Sequence, residues 1–124
     1  MKYEWIDEYM LGLPGTEKDH KAEWEATRYM LRGKMYCRVG KGKHEKPIIA
    51  LKLIPINGDE LRRKYRGVIV PGYYMNKLHW NSVYCDGNVP DELLRDMINE
   101  SHGLILESLS LKAQQEIMDP ISSI

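Results

Sequence analysis

Phenylalanine is missing from this chain, so its aromatic packing rests on eight tyrosines and three tryptophans, most of whose surface is apolar but which each carry a polar end. Cysteine is scarce: Cys37 and Cys85 stand far apart without a Cys-x-x-Cys pair. That excludes a disulfide framework or a cysteine-rich zinc module, and both read as small buried apolar side chains. No run of about 18 apolar residues is present to span a bilayer. The start, Met1-Lys2-Tyr3-Glu4-Trp5-Ile6-Asp7-Glu8, lacks the basic end and apolar block of a secretory leader. A cytoplasmic location without a membrane partner is the expectation. Repeats and low-complexity tracts are absent as well, so the 124 residues read as one domain over 1–118 with a short tail, 119–124.

An excess of charge of either sign is also lacking, but the net charge of zero hides a polarised chain. Residues 1–27 carry a balance of −4, residues 28–81 one of +10, and residues 82–124 one of −6. If the middle folds as a sheet flanked by the acidic ends, one side of the molecule is basic and another acidic. Such a basic patch is compatible with phosphate binding.

Helical spacing of Trp5, Ile6, Tyr9, Met10 and Leu13 predicts a first helix over residues 2 to about 11, stopped by Gly12, Pro14 and Gly15. Residues 17–21 are charged and read as loop. Two strands follow, over about 24–31 and 34–39, joined at Arg32-Gly33, and a third runs over 48–53 behind the basic loop 40–46. Asn57 and Glu60 are spaced like a capping box, which predicts a short helix over 58–65 with Arg62, Arg63 and Lys64 near its end. Val68, Ile69 and Val70 then start a strand whose antiparallel return is 80–84. Pro90, Asp91 and Glu92 suit the first turn of a long helix to about residue 109, and 112–118 forms a short last one. The expected class is α+β, a two-layer, mostly antiparallel five-stranded sheet with helices packed on it, in the order α-β-β-β-α-β-β-α.

Enzyme chemistry finds little footing. His20, His44, His79 and His102 have no ligand-like spacing with Cys, Asp or Glu, and no nucleophile motif or dinucleotide fingerprint occurs. Gly40-Lys41-Gly42-Lys43 is too short for a P-loop and lacks its Ser or Thr. His79 becomes a general base only if a carboxylate such as Asp86 approaches it in space. The expectation is a non-enzyme with no catalytic residues, no metal and no cofactor.

Recognition chemistry is instead concentrated in one stretch, Pro71-Gly72-Tyr73-Tyr74-Met75-Asn76-Lys77-Leu78-His79-Trp80-Asn81-Ser82-Val83. The amides of Asn76 and Asn81 suit a base edge, Lys77 a phosphate, and Tyr74 or Trp80 a stacked base. Against this, Asn76 and Lys77 also suit a plain tight turn, and Trp80 a core position. The stretch resembles the signature of the MmcQ/YjbR family of small bacterial proteins, Pro-Gly-Tyr/Trp-His-Met-Asn-Lys-x-His-Trp-Asn-Thr-Val, with Tyr74 in place of histidine and Ser82 in place of threonine. Leu13-Pro14-Gly15-Thr16, Gly33-Lys34-Met35-Tyr36 and Asp86-Gly87-Asn88-Val89-Pro90-Asp91-Glu92-Leu93 extend the likeness over nearly the whole chain.

The resemblance implies a two-layer α+β domain in a double-wing arrangement, similar in layout to secretion-chaperone-like domains, with DNA as the proposed partner. The candidate DNA contacts are then Arg28, Arg32, Lys34, Arg38, Lys41 and Lys43 on the first hairpin and its loop, with Tyr74, Asn76, Lys77, His79 and Asn81 on the second. The alternative is a protein- or peptide-binding module that uses the same aromatic hairpin.

Overall fold

Why the strands fall where they do follows from two left-handed residues in a row. Arg32 (φ 49°) and Gly33 (φ 83°) form the two-residue primed turn that matches strand twist. It joins β2 (Ala26–Leu31) to β3 (Lys34–Lys41) in an antiparallel hairpin. The computed structural model describes residues 3–72 and 75–119. Around the hairpin lie α1 (Ile6–Leu11), β1 (Glu17–Lys21), β4 (Pro47–Lys52), α2 (Pro55–Lys64), β5 (Ile69–Pro71), β6 (Trp80–Tyr84), α3 (Asp91–Glu107) and α4 (Leu111–Met118). All pairings are antiparallel in a six-stranded sheet of order β1-β2-β3-β4-β6-β5.

The α+β class holds, but the sheet has one strand more than the five expected, and the element order changes with it. The extra strand is β1, read from sequence as a charged loop. Glu17, Lys18, Asp19 and His20 are all exposed, so no apolar alternation marks the segment. Backbone pairing with β2, and not burial, makes it a strand, and charge is what a sheet edge carries to discourage further pairing. β2 in turn begins at Ala26 rather than residue 24, because Ala22–Trp24 form a single 3₁₀ turn closed by Glu25 in the left-handed region.

A second correction concerns α2. It starts at Pro55, whose fixed φ and missing N–H suit the first turn, and no side chain of its own caps it. Asn57 does not form a capping box with Glu60. Instead Glu100 of α3 reaches across, accepting the Ile54 N–H at 2.8 Å and the Asn57 side-chain amide at 2.9 Å. A carboxylate there also complements the positive end of the helix.

Alternation along the central strands divides the sheet into two faces. One face sends Tyr29, Leu31, Cys37, Ile49, Leu51, Val83 and Ile69 into the core, where they meet Ile6 and Met10 of α1 and Leu94, Met97, Ile98 and Ile105 of α3. Cys37 and Cys85 are free thiols, both buried as expected, and burial pushes the Cys85 thiol up to about 11. Among the described residues no α-helix packs on the opposite face.

Two polar contacts lock the layers together. Where β3 and β4 part at one end, Ser101 of α3 inserts its hydroxyl, accepting the Lys52 N–H at 2.9 Å and donating to the Tyr36 carbonyl at 2.5 Å. On α1, Asp7 accepts from the Tyr29 hydroxyl and from the Lys18 ammonium, each at 2.7 Å, and ties the helix to β1 and β2. Hydrogen bonds from Lys18 and then Tyr29 hold its carboxyl below the usual carboxylate range.

Ser101→Ala leaves a buried N–H and a buried C=O unpaired, so urea unfolding should show a loss of about 2–4 kcal/mol. A loss under about 0.5 kcal/mol would mean the strands close on each other without it. The Asp7 contact has a pH signature. A depressed carboxyl contributes stability above its unfolded value of about 3.9 and loses it as pH falls through the folded value. Because Asp7 is half exposed, its worth is only about 0.5–1 kcal/mol. Asp7→Asn should therefore trail the parent by that amount at neutral pH, with the gap closing below about pH 4; a gap that persists into acid would place its origin elsewhere.

Candidate recognition face of the sheet

The helix-free face is built from residues that alternate with the core. Register sets one continuous row across all six strands: Asp19, Arg28, Arg38, Ala50, Ser82 and Val70. Beside it, Ala26 lies against Gly40, which in turn pairs with Ile48 and then Tyr84. Small side chains at Ala26, Gly40 and Ala50 occupy the middle of this face, where Ala26, Ile48 and Ala50 are buried.

At one end of the row, two arginines share a tryptophan. The Arg28 and Arg38 guanidinium carbons lie 5.7 and 5.9 Å from the Trp24 ring centre. Trp24 itself is 49% exposed. The 3₁₀ turn that interrupts the expected strand is what swings this ring over the sheet. Arg28 is engaged further by Asp19, whose carboxylate it grips with two bonds of 2.8 and 2.5 Å. That grip holds the Asp19 carboxyl below its ordinary range and raises the Arg28 guanidinium. Arg38 differs. It is 9% exposed, burial lowers its pKa, and among the described residues no carboxylate or hydrogen-bond acceptor meets it.

At the other end lies a cleft of about 610 Å³. Ile48, Val70 and Ser82 form its floor, with Met75 and the side chains of Lys43 and Lys77 around them. Ser82 was noted in the sequence only for replacing threonine. Its hydroxyl is buried without a hydrogen-bond partner among the described residues.

The remaining candidates separate from this face. Arg32 and Lys34, at the hairpin tip, turn to the helices: Arg32 reaches Glu116 of α4 at 3.7 Å and Lys34 donates to the Ser108 hydroxyl at 3.3 Å. This tip is docked rather than free. Lys41 lies 3.5 Å from Glu25. Asn76 is exposed, but its side-chain oxygen accepts the Leu78 N–H at 2.9 Å and shapes the turn. His79 is half-buried, and its carbonyl takes the Leu53 N–H at 2.8 Å. Asp86 pairs with Lys46 at 3.6 Å. Tyr74 lies outside the described residues.

Asn81 points the opposite way from Ser82, into the helix layer. It is fully buried, accepts from Arg62 at 2.7 Å and donates to the His79 carbonyl at 3.2 Å. The room for it comes from Gly58, where a Cβ would sit 3.0 Å from its side-chain oxygen. Its amide is a structural bracket between α2 and β6. Trp24 and Ser82 are the two members of the face that motif reasoning passed over; the period-two alternation of β6 was the available signal for Ser82, and none pointed to Trp24.

The fold is thus a small α+β domain with one antiparallel sheet, helices on one side and a partly basic, partly aromatic face on the other. The chain belongs to the YjbR family, which matches residues 11–104. It is 30% identical over 95 residues to the uncharacterized protein YjbR of Escherichia coli K12, covering 77% of this chain and 79% of that one. The uncharacterized protein YbdF of Escherichia coli O157:H7 is 39% identical over 71 residues, 57% of either chain. Among solved structures, the Deinococcus radiodurans protein DR2400, with its DUF419 domain, superposes with a TM-score of 0.82 at 26% identity, over 91% of this chain and 85% of that one.

Asn81→Ala should lower unfolding stability by about 1–3 kcal/mol, because it strands the inner nitrogen of Arg62. If Asn81 were a ligand contact instead, the variant would keep its stability and lose only binding.

Proposed function

We propose that this protein is a non-enzymatic DNA-binding domain that meets its ligand with the helix-free face of the sheet, not with its hairpin tips. The observation that carries the reading is Arg38, a largely buried cation on that face without a carboxylate among the described residues. A buried charge lacking its counterion is costly, and a phosphate supplies one. Trp24, half exposed beside it, offers a ring for a base to stack on, and Lys43 and Lys77 continue the positive track toward β5. An exposed ring beside cations suits single-stranded DNA better than the major groove of a duplex, since the tip that would enter a groove contacts α4 and the end of α3. His102 is taken up by the fold: its ring meets the Pro14 carbonyl at 2.8 Å and packs edge-on against Tyr36.

A second reading, a protein- or peptide-binding module, is favoured by the carboxylate that sits among the cations. Asp19 on Arg28 leaves that end of the face mixed in sign.

Salt dependence of binding to a labelled single strand separates the two. Three to four phosphate contacts should give a log–log slope of about −2 to −3. Arg38→Met, which keeps an apolar stem, should weaken binding about tenfold and flatten the slope by about 0.7. Asp19→Asn should strengthen binding by releasing Arg28. Tighter binding to duplex than to single strand would favour groove entry, and affinity indifferent to salt and to both substitutions would hand the face to a protein partner.

A further inference from the structure

The cleft at the β5 side of the sheet has a chemistry of its own. Lys43 and Lys77 are the charged residues that line it, and neither ammonium meets a carboxylate among the described residues. Other cations do: Lys18 meets Asp7, Arg28 meets Asp19, Arg32 meets Glu116, Lys41 meets Glu25, Lys46 meets Asp86 and Arg62 meets Asp59. Between the two lysines the walls are apolar, with Ile48, Val70 and Met75. On the floor sits the Ser82 hydroxyl, 2% exposed and unpartnered among the described residues. Buried hydroxyls are satisfied as a rule, so one left unpartnered beneath a cleft marks a place for an acceptor brought by a ligand. The arginine patch of α2 contrasts with this, because Arg62 already serves Asp59 and Asn81.

We propose that this cleft binds a small organic acid, a compact apolar body bearing a single carboxylate. The body rests on Ile48, Val70 and Met75, while the carboxylate accepts from the Ser82 hydroxyl and draws Lys43 and Lys77 to it. The volume of about 610 Å³ lies in the range of small-molecule sites, about 300–1,000 Å³. The apolar walls favour a carboxylate carried on an apolar body over inorganic phosphate, which has no apolar surface to lay on Ile48, Val70 and Met75. The cleft shares Lys43 and Lys77 with the DNA reading, but that reading is carried by Arg38 and Trp24 at the far end of the row.

The test is an amide-resolved NMR titration of the full chain with three probes: benzoate, benzamide and inorganic phosphate. Benzoate should saturate with a dissociation constant on the order of 1 mM, shifting Ile48, Val70, Ser82 and Tyr84. Benzamide, of the same shape without the charge, should bind about tenfold more weakly, and phosphate should not saturate. Lys77→Met should weaken benzoate about three- to tenfold. Ser82→Ala should weaken it by a similar factor while leaving the thermal midpoint equal or higher, since it removes a hydroxyl that nothing in the fold uses. Equal affinity for benzamide, phosphate binding as well as benzoate, shifts scattered away from the cleft, or a Ser82→Ala variant that melts earlier and binds unchanged would each overturn the proposal. Because no probe contains nucleic acid, failure here and failure of the DNA reading are told apart.

Discussion

The pairing of Ala50 with Ser82 at the middle of the sheet decides which side of the molecule each polar group of the signature serves. Side chains on a strand alternate, so a slip of one residue would exchange Asn81 and Ser82 between faces. It would carry the amide of Asn81 away from Arg62 and Gly58 and bring a hydroxyl to a place that needs two hydrogen bonds. The apolar run of β4, with Ile49 and Leu51 in the core, and Val83 beside them make that slip costly. One register thereby sets both the bracket that holds α2 and the floor of the cleft.

Seen through this register, the second hairpin is less a wing than a seam. β6 lies between β4 and β5, so its backbone is paired on both sides, while Asn76, Lys77 and Leu78 ahead of it are exposed. The dense polar chemistry of the signature is split three ways. Asn76 shapes the turn, Asn81 joins two layers, and Lys77 with Ser82 faces the open side. A stretch that looks like one functional unit along the chain is in space a set of separate duties.

Much of this was legible in the sequence. Helical spacing found α1 and α3, the Arg32-Gly33 turn found the first hairpin, and the antiparallel return over 80–84 was placed correctly. What was missed has physical reasons. β1 is held by backbone pairing and charged on both faces, so it carries no hydrophobic period to read. The partner that caps α2 is Glu100, distant in sequence, while the local Asn57 and Glu60 offered a misleading pair. Family likeness gave the class of fold and a list of cations, yet which cations carry a carboxylate is a property of tertiary contacts alone. Arg28 and Arg38 look alike along the chain, and only Arg28 has its acid beside it.

The two borders of the sheet have a colloidal consequence. A chain without net charge near neutrality has no long-range repulsion to hold its copies apart. Here the short-range defence lies along the rims: β1 is a fence of charged side chains, and β5 is three residues long and ends in Pro71, which has no N–H to offer. Stacking of one molecule's ribbon onto the next is discouraged at both margins, so crowding of copies is resisted at the rims where long-range repulsion supplies nothing.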